Sequence, residues 1–106
     1  MPKYLYRARF AAEGAAGLRS EGGTSRRDTL GALAEAHGGS LDSFYFAFGD
    51  VDVFLIVDLP DNATAAALAL AVSASGVVGV ETTVLLTPEE IDTASGIEVD
   101  YRPPGG

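Results

Sequence analysis

The segment Phe44-Tyr45-Phe46-Ala47-Phe48-Gly49-Asp50-Val51-Asp52-Val53-Phe54-Leu55-Ile56-Val57 constrains this chain more than any other part of it. It reads as two apolar strands joined by a tight Gly49-Asp50 turn. Its second half, Val53 to Val57, is apolar at every position. A strand with one wet face alternates, whereas an unbroken apolar run belongs to a strand covered on both faces. A chain of 106 residues has enough helix to cover one face of a sheet. The other face is therefore expected to meet a partner or a ligand.

The flanking sequence supplies the rest of a small α+β unit. Tyr4 to Phe10 alternates, with Tyr4, Tyr6, Ala8 and Phe10 on one face and Leu5, Arg7 and Arg9 on the other. Glu13 to Gly23 carries four glycines and is expected to be a loop with one helical turn near Ala15 to Ser20. Ser25-Arg26-Arg27-Asp28 resembles a capping box, Leu30, Leu33, Ala34 and His37 follow at helical spacing, and Gly38-Gly39 ends the helix. Strands are expected over Leu41 to Phe48 and Val51 to Leu59, the latter stopped by Pro60. Asp61 is placed to cap an alanine-rich helix from Ala63 to Ser75, whose small side chains favour close approach to a sheet. Val77 to Leu86 is a fourth strand. Thr87-Pro88-Glu89-Glu90 then opens a short helix stopped by Gly96. Ile97 to Tyr101 is expected to add a brief edge strand before the Pro103-Pro104-Gly105-Gly106 tail.

The order strand, helix, strand, strand, helix, strand is the ferredoxin-like βαββαβ arrangement, with a four-stranded antiparallel sheet and both helices on one face. We expect one such domain over residues 1–96, followed by an extension over residues 97–106. The first and third strands lie centrally, so Val53 to Val57 sits mid-sheet with one side open. Pairing of two sheet faces in a homodimer is the simplest cover for it.

Net charge and composition exclude several function classes. The net charge is −8, which repels phosphate backbones and anionic lipid, so neither nucleic acid nor membrane is an expected partner. Six of the seven basic residues lie in the first 27 positions, and only Arg102 is distant. The absence of cysteine removes disulfide and thiolate chemistry and fits a reducing compartment. No apolar stretch reaches the roughly 18–20 residues that span a bilayer, and Met1-Pro2-Lys3-Tyr4 enters a strand pattern directly. A soluble, cytoplasmic protein is expected.

Few residues are placed to carry chemistry. His37, the single histidine, is a candidate general base or haem ligand, or a last-turn imidazole facing helix carbonyls. No second histidine or ligand spacing supports a metal site, and no cofactor is expected. Asp52 is a candidate proton acceptor beside Phe54, or an acceptor of backbone hydrogen bonds from the turn. Arg7 and Arg9 share one face of a central strand, where guanidinium groups need partners. They either hold a small anion or pair with Glu81 of the neighbouring strand. Tyr4, Tyr6 and Tyr45 either line a pocket or pack the core. The glycines at 14, 17, 22 and 23 form no phosphate loop, and no nucleophile elbow is present.

Pro2-Lys3-Tyr4-Leu5, Gly38-Gly39, Phe44-Tyr45, the Gly49-x-x-Asp52 turn, the alanine-rich second helix and Glu81-Thr82 together resemble the GYD domain family over residues 2–95. The family's Gly-x-Tyr-Asp element is matched at Gly49 and Asp52, with Val51 in the tyrosine position, so chemistry resting on that phenol is lost here. The resemblance implies dimeric α+β barrels with ferredoxin-like subunits. It also implies two classes of function. The first is a homo-oligomeric small-molecule-binding or accessory module, with Arg7, Arg9, Tyr6, Tyr45 and Glu81 as candidate contacts. The second is a cofactor-free monooxygenase or isomerase of a small cyclic or aromatic substrate, with Asp52 or His37 moving the proton.

Overall fold

β1 (Lys3–Phe10) lies at the centre of a four-stranded antiparallel sheet of order β2-β3-β1-β4, where β2 is Ser40–Phe46, β3 is Val53–Asp58 and β4 is Val78–Leu85. The computed structural model describes residues 1–106. Strand order and direction are those of the ferredoxin-like fold. Four helices complete the chain: α1 (Ala12–Glu21), α2 (Gly23–Ala36), α3 (Asn62–Ala74) and α4 (Pro88–Ser95).

Alternation along β1 and β3 decides the layering. Tyr4, Tyr6 and Ala8 of β1 and Val53, Leu55 and Val57 of β3 are buried beneath the helices, together with Ala34 of α2 and Ala65 and Leu68 of α3. Two phenols fasten the layers. The Tyr4 hydroxyl donates to Asn62 Oδ1 at 2.6 Å, and the Tyr6 hydroxyl donates to the Ala65 carbonyl at 2.6 Å. Asp61 caps α3 by accepting from the Thr64 backbone N–H at 2.8 Å. This bond holds the Asp61 carboxyl below its ordinary pKa.

Several local expectations need correction. Residues 12–21 form the helix α1, where a glycine-rich loop was expected. α1 and α2 meet at Gly22, whose φ of 89° turns the chain between them. α2 therefore begins at Gly23, ahead of Ser25, and has no side-chain cap. The hairpin is not tight: β2 ends at Phe46 and β3 begins at Val53, with residues 47–52 between them. Gly49 does not adopt a left-handed φ, and no neighbour lies within 4 Å of where its Cβ would stand. Ile97 to Tyr101 forms no edge strand. α4 matches expectation. Thr87 accepts from the Glu90 N–H at 3.1 Å, and Glu90 accepts from the Thr87 N–H at 3.0 Å, with Pro88 in the first turn.

Candidate functional site

Two surfaces are candidates, one on each side of the sheet. On the helix side, α2 and α3 straddle a cleft over β1 and β3. Apolar side chains, among them Tyr6, Leu33, Leu55, Leu68 and Val80, make almost all of its wall, and the one charged group is Arg26. The free space between its walls is about 60 Å³, room for a few water molecules. Arg26 is half-buried and makes no ion pair, unlike its neighbour Arg27, which pairs with Asp28 at 3.0 Å. Glu13 and Glu21 of α1 line the adjoining depression that Arg26 also borders.

Tyr6 contributes its ring to the cleft wall and spends its hydroxyl on the Ala65 carbonyl. Burial, and secondarily the nearby Tyr4, push the Tyr6 phenol up from 10.0 to about 12. The folded state thus favours the protonated phenol. That contribution is complete below about pH 10 and is lost as pH rises through about 12. Urea midpoints of the wild type are expected to drop steeply over this window, and those of Tyr6→Phe to drop less. Parallel curves for the two proteins would refute the assignment.

The opposite face of the sheet carries no helix. Leu5, Arg7 and Arg9 of β1 point there, with Phe54 and Ile56 of β3, Tyr45 of β2 and Glu81, Thr83 and Leu85 of β4. Phe54 is 38% exposed and Tyr45 70%. Glu81 accepts from Arg7 at 2.6 Å and from Arg9 at 2.9 Å. Arg9 Nε donates to the Asp50 carbonyl, while Arg7 Nε is buried without a partner. The Arg9 hydrogen bond, followed by the charges of both arginines, holds the Glu81 carboxyl below its ordinary pKa. At the other end of this face Lys3 bridges Asp58 at 3.0 Å and Asp42 at 3.3 Å. The Asp58 bond raises the Lys3 pKa.

The structure thus brings Arg7, Arg9, Glu81 and Tyr45 to the uncovered face, and Tyr6 to the cleft on the other side of the sheet. Asp52 and His37 join neither group. Asp52 Oδ2 accepts from the Phe10 N–H at 2.8 Å, its own N–H donates to the Ala8 carbonyl at 2.9 Å, and its carbonyl accepts from Ala47. It stitches the 47–52 loop to the end of β1. His37 is exposed beyond α2, with Nδ1 2.9 Å from the Leu33 carbonyl. No group of three or more His, Asp or Glu side chains is placed to hold a metal ion. Val51 is buried at 6% exposure.

A ferredoxin-like α+β domain with one uncovered sheet face is the class this geometry defines. The chain belongs to the GYD domain family, whose model matches residues 4–94. Comparison with curated proteins found no match, and neither did comparison with solved structures. No helix is long and apolar enough to cross a membrane.

Proposed function

We propose that this protein is a homo-oligomeric module that binds a small molecule in the cleft between α2 and α3. The observation that carries the proposal is the cleft wall, apolar except for Arg26, a cation with no carboxylate paired to it. A small apolar molecule with one anionic end fits that distribution. The absence of cysteine supports work in a reducing compartment such as the cytoplasm.

Pairing of two copies through the uncovered sheet face is supported by its charge pattern. Three cations, Lys3, Arg7 and Arg9, meet three anions, Asp42, Asp58 and Glu81, although the chain as a whole carries −8. One end, around Lys3, has an excess anion, and the other, around Glu81, an excess cation. A two-fold axis lying across the strands sets each end over its opposite in the second copy, with Leu5, Phe54 and Ile56 between them. A catalytic reading gains no comparable support, because Asp52 and His37 are held away from the cleft.

Native mass spectrometry of gently purified protein tests both parts. A dimer or dimer-based oligomer is expected, and Ile56→Lys, which sets a charge amid the apolar strip, is expected to leave monomers. A panel of aromatic and aliphatic carboxylates is expected to raise the thermal midpoint. Ligand at a hundred times its Kd adds about 2.7 kcal/mol to the unfolding free energy. Ala69→Phe, which fills the cleft, is expected to abolish that shift without changing the oligomer. No retained mass together with no midpoint shift across the panel would overturn the binding proposal.

A further inference from the structure

Beyond Leu85 the chain leaves the body of the molecule. Every residue from Leu86 to Gly106 is exposed. Leu86 (59%), Ile91 (51%), Ile97 (63%), Val99 (75%) and Tyr101 (70%) present large apolar side chains to water. No hydrogen bond or ion pair joins residues 87–106 to residues 1–86. The arm gives the molecule a long axis of 56 Å and a radius of gyration of 16.9 Å. A packed chain of this length has a radius of about 13 Å.

An arm of this kind is not stable in isolation. α4 has eight residues, none buried. Helices shorter than about 12–15 residues are marginal in water even with favourable sequences. The capping box contributes about 1 kcal/mol, which does not offset the unfavourable nucleation of a single short helix. The helical form therefore needs a surface to pack against, and its own chain provides none.

We infer that residues 86–101 form an exchanged arm, packing on the second copy in the sheet-paired dimer rather than on their own chain. The inference rests on the pairing proposed above. Interface size argues for a second copy as the occupant. The four strands hold 8, 7, 6 and 8 residues. About half of their side chains, roughly fourteen, face the uncovered side. A stable interface uses about 20–30 residues a side. The sheet face alone falls short, and the arm supplies the difference from the strand that borders it.

Charge gives the arm its direction. It leaves the sheet at Leu85, which pairs with Lys3. In the pairing that joins opposite ends, this point lies over the second copy's Arg7–Arg9 end, where Glu81 balances only one of two guanidinium groups. The first turn of α4 carries Glu89 and Glu90, four and five residues beyond that point. Five carboxylates, Glu89, Glu90, Asp92, Glu98 and Asp100, stand in the arm, which holds no Lys or Arg.

The test uses the full chain. Wild type, Ile97→Asp/Val99→Asp and Ile56→Lys are compared by sedimentation velocity over a range of concentration. In parallel, a photo-crosslinking phenylalanine analogue replaces Tyr101 in a mixture of ordinary and ¹⁵N-labelled protein. The arm variant is expected to raise the dimer Kd at least 100-fold, and the crosslinks are expected to join one light and one heavy peptide. A dimer abolished by Ile56→Lys but unchanged by Ile97→Asp/Val99→Asp overturns arm exchange and leaves sheet pairing standing. Crosslinks confined to single copies do the same. A wild type that stays monomeric at every concentration overturns both.

Discussion

Replacing Tyr4 with alanine lowers the unfolding free energy by about 3–5 kcal/mol. Small domains hold only about 5–15 kcal/mol in total, so the variant is expected to be partly unfolded near room temperature. Tyr4 is 1% exposed and is one of the two largest side chains fully sealed in the core. It pairs across the sheet with Val57 on one side and Val84 on the other, and its ring fills the space under α3. Truncation leaves a cavity that the rigid central strands cannot close. It also removes the donor to Asn62 Oδ1. Tyr4→Phe separates the two contributions. It keeps the ring and loses only the hydrogen bond, and its expected cost is about 1 kcal/mol, because Asn62 is exposed and finds water instead. Urea titrations followed by circular dichroism measure both variants. Equal losses would mean that the hydroxyl, not the ring, holds the layers together.

Gly39→Ala is the second large effect, about 3 kcal/mol, the upper end of what overpacking typically costs. Gly39 joins α2 to β2 and donates its N–H to the Ala34 carbonyl at 2.9 Å. A Cβ built there overlaps the Asp58 carbonyl oxygen and comes within 2.9 Å of Leu59 Cδ2. Neither neighbour has room to retreat, since Asp58 ends β3 and Leu59 is completely buried. Gly49→Ala is the matched control. Nothing stands within 4 Å of that position, and the expected change is within about 0.5 kcal/mol. Comparable losses at both sites would show that the β2–β3 loop, though exposed, is conformationally constrained.

The contrast between these two glycines bears on what the amino-acid order reveals. Strand alternation, the Asp61 and Thr87 caps and the central positions of β1 and β3 are legible, because each follows from local chemistry or from chain topology. α1 is not, because counting glycines treats Gly14 as a loop signal. In the structure, a Cβ on Gly14 would overlap the Val77 carbonyl, so this glycine lets a helix approach β4. The supposed edge strand at Ile97–Tyr101 has suitable side chains and no strand beside it. Among the site residues, the pairing of Arg7 and Arg9 with Glu81 is open to reading from strand order. The side of the sheet they occupy is settled only when the helices bury Tyr4 and Tyr6. Arg26 escaped notice because it adjoins Arg27 in a helix, and only the packing of α2 turns one of the two toward the cleft while the other meets Asp28.

The central position of β1 also governs when the fold is able to form. β1, the first of the four strands in chain order, bonds to β3 on one side and to β4 on the other, with Lys3 paired to Asp58 and to Leu85. A nascent chain that has exposed β1, α1, α2 and β2 holds no two strands that pair with each other, since β2 pairs only with β3. Sheet formation has to wait for β3, which pairs with both β1 and β2, and β1 gains its second neighbour only when β4 has emerged. Contacts of such long sequence separation make for slow folding, with apolar strands uncovered in the interval.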